Sequence, residues 1–322
     1  MLTFGSDPEF VLVDQQGRCK SAVGIVPGDR DDRHKIPPHE FFYDNVLAEC
    51  AIHPGETKRE VVKNFRDCFR KYAKLVKPYR LAVRAAHTFP PSELQSPAAY
   101  DAGCDPETCA YTFNDFKKDR EFFLTTRLRT AGGHIHLGHP ILKKAKGKPM
   151  NAYNRMFVAR MLDLFLGIPS IYMNVDKTEK RRKSLYGQAG RYRDRDHGVE
   201  YRTLSNFWLA SPHLVNLVYD ICKYTFQFVS EERHWDFWSV DFDAIRDDSN
   251  WEREDFNTAD YHKCFGYDVE SLRKAIDNLD RRRADRFLKF IGELVPSKLY
   301  QSILSACEYP AEYDFYEEWK LQ

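Results

Sequence analysis

Three short stretches of this chain repeat one arrangement: two metal- or phosphate-handling side chains, two residues apart, inside an apolar, strand-like run. They are Asp7 and Glu9 in Gly5-Ser6-Asp7-Pro8-Glu9-Phe10, His134 and His136 in Gly132-Gly133-His134-Ile135-His136-Leu137-Gly138, and Glu200 and Arg202 in Gly198-Val199-Glu200-Tyr201-Arg202. In a β-strand, residues i and i+2 share a face. Each stretch therefore presents a polar pair on one face and apolar neighbours on the other. Acids, imidazoles and guanidinium groups are costly to bury unless they pair or bind metal. Three such strands side by side form a pocket for divalent cations and phosphate.

Each pair also admits a plainer reading. Asp7 and Glu9 repel one another unless a cation joins them, and hard cations such as Mg²⁺ or Mn²⁺ take oxygen ligands; a solvated surface strand carries the same pattern. Pro8 between them points to an edge or strand-start position. Glycines flank the histidines and allow close approach of another backbone or a phosphate. A structural histidine pair is one alternative, and a facial-triad iron site is a weaker one because no acid follows closely. Glu49, alone inside Val46-Leu47-Ala48-Glu49-Cys50-Ala51-Ile52, needs a partner, and a metal is the economical one. Asn45 would orient it or touch substrate. Glu200 and Arg202 follow a glycine-broken basic stretch, Tyr186 to Arg193. Arginine suits phosphate, but an ordinary cross-strand ion pair fits as well. Lys180 to Lys183 reads as a solvated charged face.

The chain has 322 residues, 43% of them hydrophobic and 30% charged, enough for a large globular core. A net charge of +1 favours neither nucleic acid nor a membrane surface. No apolar run of about 18 residues suggests a membrane span, and the start lacks a basic-then-apolar leader. Eight scattered cysteines without paired CxxC motifs imply buried free thiols in a reducing cytoplasm, with Cys104 and Cys109 a possible local clip. Tyr43 to Ile52 reads as one strand. Thr57-Lys58-Arg59-Glu60 is a capping box opening a helix that stops at Lys77-Pro78. Residues 88–130, broken by prolines, read as a long excursion covering the site. Met150 to Leu166 reads as a helix closed by Gly167 and Pro169. Ser211-Pro212 starts another, and residues 268–307 add two or three more.

The order of these motifs resembles the glutamine synthetase-like superfamily, and most closely the carboxylate–amine ligases (amidoligases, type 2) of tailed phages, relatives of glutamate–cysteine ligase. The matching segments are Gly-Ser-Asp-Pro-Glu-Phe, Tyr-Asp-Asn-x-x-x-Glu, Gly-Gly-His-Ile-His-Leu-Gly and Gly-Val-Glu-Tyr-Arg-Thr-Leu-Ser-Asn-Phe-Trp, within residues 5–208. The resemblance implies an α+β fold in a single catalytic domain over residues 1–322. A curved, mostly antiparallel sheet would carry helices on its outer face, with a lid or substrate insertion at 88–130 and a helical part from about 211. It implies metal ligation by Asp7, Glu9, Glu49, His134 and Glu200, nucleotide contacts from Arg191, Arg193, Arg202 and His136, and catalytic roles for Arg202, Arg193 and Glu200. Glu40 is a possible extra ligand. The implied cofactors are ATP and Mg²⁺ or Mn²⁺. The implied partners are small-molecule or peptide carboxylates and amines, in the cytoplasm of a host bacterium, with no nucleic acid or membrane and an open oligomeric state. Asp7 stands where glutamine synthetases carry glutamate, and their ammonia and adenine loops are not recognisable, which argues against glutamine synthesis itself. A guanidino kinase of the phosphagen type and a non-catalytic relic of the fold are the alternatives.

Overall fold

The first strand shows how the two halves of the molecule are divided. Along β1 (Thr3–Val13) the even-numbered Phe4, Phe10 and Leu12 are buried in the main core, while Gly5, Asp7 and Glu9 alternate onto the opposite face. The period-two rule thus sends aromatic and aliphatic groups to one side and carboxylates to the other. The computed structural model describes residues 1–101, 107–116, 125–146, 148–233 and 268–321.

After β1 come β2 (Cys19–Lys20), β3 (His34–Ile36), β4 (His39–Asp44), β5 (Leu47–Gly55), β6 (Arg80–Ala82) and β7 (Ala86–Thr88). Then follow β8 (Glu107–Cys109), β9 (Asp115–Phe116), β10 (Leu128–Thr130), β11 (Gly133–Gly138), β12 (Arg191–Arg195) and β13 (Gly198–Tyr201). The main sheet runs β3-β4-β5-β1-β11-β13-β12-β8-β9, with β2 and β6 paired to the far end of β1; β7 and β10 form a separate ribbon. Every pairing between these strands is antiparallel.

Helices cover the apolar face. The helix Lys58–Leu75 begins at Thr57 with the full capping box: Thr57 accepts from the Glu60 amide, and Glu60 returns the bond to the cap. Its Phe65, Phe69 and Tyr72 meet Phe4, Phe10 and Phe41 of the sheet in aromatic contacts. Trp208 lies edge-on to Phe4 at 6.1 Å, and its indole N–H donates to the Gly133 carbonyl at 3.0 Å. The helix Pro212–Ser230 starts as its Ser-Pro signal predicts, the Ser211 side chain accepting from the Leu214 amide. The C-terminal part adds Val269–Asn278, Arg281–Leu294, Ser297–Glu308 and Phe315–Trp319. A second, smaller cluster, with Val11, Val13, Val46, Phe89, Leu94 and Ala99, closes the opposite face at the far end of β1.

The structure departs from the sequence in several places, each with a physical reason. Pro8 does not mark an edge: β1 lies between β5 and β11. The β1–β5 ladder passes from Ser6–Ile52 to Glu9–Glu49, and this gap accommodates the missing proline N–H. Tyr43 to Ile52 is not one strand. Asn45 adopts a left-handed conformation, φ 57°, and turns the chain into the β4–β5 hairpin. The helix through Met150 does not stop at Gly167. It passes through a π-turn, Asp163–Gly167, into Ile168–Met173, and Pro169 lies in the first positions of that new segment, where its missing N–H costs least. Met150–Met173 is also long and apolar enough to cross a membrane by length and composition, but nearly all of it is buried in the fold, as in a core helix. Lys180 to Lys183 is not a solvated face, because Arg182 and Lys183 are buried.

The 88–130 segment supplies the sheet edge β8–β9. Residues 102–106 and 117–124 of the lid expectation, and Cys104 with it, lie outside the described residues. Cys19, Cys50, Cys68, Cys109, Cys222 and Cys307 are free and buried.

Candidate active site

The three polar pairs fall on neighbouring strands in matching register. Asp7 stands opposite His134 and Gly5 opposite His136. His136 stands opposite Glu200, Glu200 opposite Arg193, and Glu9 opposite Glu49. One row of side chains therefore crosses five strands on the face away from the helices.

Two groups of candidate ligands stand out in this row. Glu9, Asp44 and Glu49 each offer an oxygen, all within 4.8 Å of one another, and Asp7, His136 and Glu200 form a second set by the same measure. Both fit a hard divalent cation by donor chemistry. Burial, and then the negative charge of Asp44, pushes the Glu9 carboxyl from its ordinary 4.5 up to about 7. Glu49 is raised well above its usual range by burial and then by Asp7 and Glu9. A bound cation would relieve the burial and mutual repulsion that raise these two carboxyls. In the second set, burial opposes ionisation of Asp7, but His136 and His134 hold it well below 3.8. Asp7 Oδ1 lies 3.0 Å from His136 Nε2 and 3.3 Å from His134 Nδ1. Asp7 Oδ1, His134 Nε2 and His136 Nε2 are nevertheless buried without a well-formed hydrogen bond among the described residues.

The two histidines play different parts. His136 is raised by Asp7 against the effect of burial. His134 is lowered to about 3 by burial and by the adjacent Arg202, so its imidazole is neutral, and its Nδ1 lies 3.3 Å from an Arg202 nitrogen. Gly132 must be small, because a Cβ there would meet His134 Nε2 at 2.3 Å. The close approach that these glycines permit is by the protein's own groups.

Arg202 is a buried hub. It donates to Glu107 at 3.0 Å, to Glu200 and to the Tyr186 hydroxyl. Behind it, Arg182 donates to the carbonyls of Arg202 at 3.2 Å, Thr203 at 2.9 Å and Leu204 at 2.8 Å, and Lys183 also reaches Thr203 at 3.0 Å. The basic run thus fixes the backbone that presents Arg202.

A cavity of about 250 Å³ over this row is lined by Asp7, Glu9, Asp44, Glu49 and His134 together with Arg30, Asp31, Arg33, Arg193, Arg195 and Arg202. Of the arginines named from the sequence, Arg193 and Arg202 reach the cavity, and Arg191 sits farther along β12, 3.6 Å from Glu107. Glu40 is not in either ligand group; it pairs with Arg33 at 3.3 Å and Lys35 at 3.9 Å. Asn45 neither orients Glu49 nor reaches into the cavity: its amide donates to the Ala99 carbonyl at 2.8 Å and accepts from Arg129 at 2.7 Å.

Sequence reasoning missed Asp44, Glu107, Arg195 and the Arg30/Arg33 turn. The adjacent Asp44-Asn45 turn signal was available for Asp44, and the i+2 rule extends Arg193 to Arg195. Nothing local distinguished Glu107 or Arg30.

The buried acids and imidazoles of this row set a pH dependence. Around pH 7 the folded chain keeps a proton on part of Glu9 that the unfolded chain has released, and Glu49 and His136 are shifted in the same direction. The folded state then binds more protons, so stability falls as pH rises, by about 1.4 kcal/mol per pH unit for each fully shifted group. His134 and Asp7, shifted the other way, act below this window. In EDTA, the melting temperature should be lower at pH 8 than at pH 6.5, and Mg²⁺ or Mn²⁺ should raise it more at pH 8. Calorimetric scans showing equal metal shifts at both values would count against cation binding here.

A family model described as "Phage phiEco32-like COOH.NH2 ligase-type 2" matches residues 128–321. No curated protein matches. Among solved structures, a bifunctional glutathione synthetase from Pasteurella multocida aligns at 10% identity and a TM-score of 0.41, over 98% of this chain and 53% of that one. The chain thus spans about half the length of that relative.

Proposed function

The chain belongs to the phage phiEco32-like COOH.NH2 ligase-type 2 family, and from that premise we propose that it joins a carboxylate to an amine, consuming ATP with Mg²⁺ or Mn²⁺, by way of an acyl phosphate. The observation that carries this reading is the single row of carboxylates and imidazole facing a cavity ringed by arginines. Glu9, Asp44 and Glu49 would hold one cation, and Asp7, His136 and Glu200 another. Such cations, when bound, neutralise triphosphate charge and align the γ-phosphoryl group.

A substrate carboxylate oxygen attacks the γ-phosphorus, the bond to the β-bridging oxygen breaks, and ADP leaves. The amine nitrogen then attacks the acyl carbon, phosphate departs, and nitrogen gives up a proton. Arg193, Arg195 and Arg202 offset charge on the transferred group, with Arg202 held rigid by Glu107, Glu200 and Tyr186. Small-molecule or peptide carboxylates and amines are the partners, and ATP supply places the reaction in the cytoplasm of a host bacterium.

Hydroxylamine, which traps acyl phosphates as hydroxamates, tests the scheme. Purified enzyme with MgATP, a carboxylate and hydroxylamine should release phosphate and hydroxamate together, and neither in EDTA. A stable phosphorylated product would instead indicate a guanidino-type kinase. Absence of Mg-dependent nucleotide binding by calorimetry would indicate a relic.

A further inference from the structure

A second cavity, of about 430 Å³, adjoins the polar one and shares Asp7, Arg33 and Arg195 with it. Its volume suits a small organic molecule. Its character changes away from the junction, where Ala51, Ile52 and Pro54 form an apolar wall and Gly5 lies on the same face of β1 as Asp7. A Cβ at Gly5 would stand 3.5 Å from Pro54 Cβ and 3.8 Å from His136 Cβ, so the missing side chain forms the floor of this space. The junction carries cations. Arg33 stacks over Phe42, 4.2 Å from the ring centroid, on a turn tied by Asp29, whose carboxylate accepts from the Asp31 and Asp32 amides at 2.9 Å. Arg195 meets Glu200 at 2.5 Å.

We infer that this second cavity receives the carboxylate substrate, that the substrate's body is a short aliphatic chain lying over Gly5, and that Arg33 draws its carboxylate to the junction. At the junction Arg33, which donates to Glu40 and to the Arg30 carbonyl at 3.3 Å, has further N–H groups to offer a carboxylate and none that would accept from an ammonium ion. The apolar wall favours a methylene chain, and the floor opened by the absent side chain of Gly5 gives that chain its place. The inference rests on the ligase reading and specifies which substrate enters where.

The test uses hydroxylamine as the amine and acetate, butyrate, hexanoate, glutamate and benzoate as carboxylates. Hydroxamate should form from the aliphatic acids and not from benzoate. Gly5→Val, whose Cβ meets its neighbours only at ordinary contact distances, should fold. It should lower hydroxamate from hexanoate at least tenfold more than from acetate, and leave binding of the Mg²⁺ complex of a non-hydrolysable ATP analogue unchanged. Arg33→Gln should raise KM for every aliphatic acid about tenfold, with a smaller change in kcat. If benzoate serves as well as hexanoate, or Gly5→Val leaves chain-length preference unaltered, the inference is wrong. The same holds if the analogue binds but no acid on the panel is activated; in each of these cases the ligase reading stands. If neither analogue binding nor hydroxamate is seen, the ligase reading fails and the inference falls with it.

Discussion

Arg202→Ala should lose at least about 10²–10³ in ATP-dependent turnover and about 3–5 kcal/mol of folding stability. The two losses have different origins. In the proposed reaction turnover falls because a guanidinium that offsets charge on the transferred group is gone. Stability falls because Glu200 is fully buried and Glu107 nearly so, and each would lose a close guanidinium partner. Arg191, 3.6 Å from Glu107, and Arg195 and Arg193, 2.5 and 3.5 Å from the other oxygen of Glu200, would compensate only in part. Arg202→Lys keeps the charge but cannot bridge both acids, so it should recover some stability and little turnover. Turnover per folded molecule, measured below the melting temperature, separates the effects. A variant that melts like the parent and turns over normally would remove Arg202 from both roles.

Glu9→Gln should do the opposite to stability. The amide keeps the shape and still accepts from the Gly132 N–H, the bond Glu9 makes at 2.5 Å. It also removes a charge from a crowded acidic group. In EDTA at pH 8 the variant should melt at or above the parent's temperature. Turnover should fall by on the order of 10³, the several kcal/mol a positioned cation supplies, and the Mg²⁺-induced rise in melting temperature should shrink. An undiminished Mg²⁺ shift together with parental turnover would show that Glu9 holds no cation.

Much of this site was legible because strand periodicity is short and strict. Asp7/Glu9, His134/His136 and Glu200/Arg202 could be placed on shared faces from spacing alone, and β1, β11 and β13 lie side by side as that reading required. What spacing could not show was register between distant strands. That register sets Asp7 opposite His134 and His136 opposite Glu200, so that His136 joins Asp7 and Glu200 in one ligand group while His134 lies 3.3 Å from Asp7, 3.6 Å from Glu200 and 3.3 Å from Arg202. Asp44 was hidden by the assumption that residues 43–52 continue straight, when a left-handed Asn45 folds Asp44 back toward Glu49. Arg182 and Lys183 looked like solvent-facing charge because nothing in their neighbours announces the row of carbonyls they bind. Pro169 and Gly167 misled for a related reason: a π-turn tolerates both, and its signature is not local.

The β1–β11 ladder has one further consequence. Residues from Met1 to Gly55 bring Asp7, Glu9, Asp44 and Glu49, whereas the stretch from Gly133 to Arg202 brings the imidazoles, Glu200 and the strand arginines. The chain is therefore a natural candidate for splitting. Two separately produced pieces, cut at the exposed Lys77-Pro78, would each be inert, and reassembly along the ladders that β1 forms with β11 and β6 would have to restore backbone pairing and cation binding in the same event.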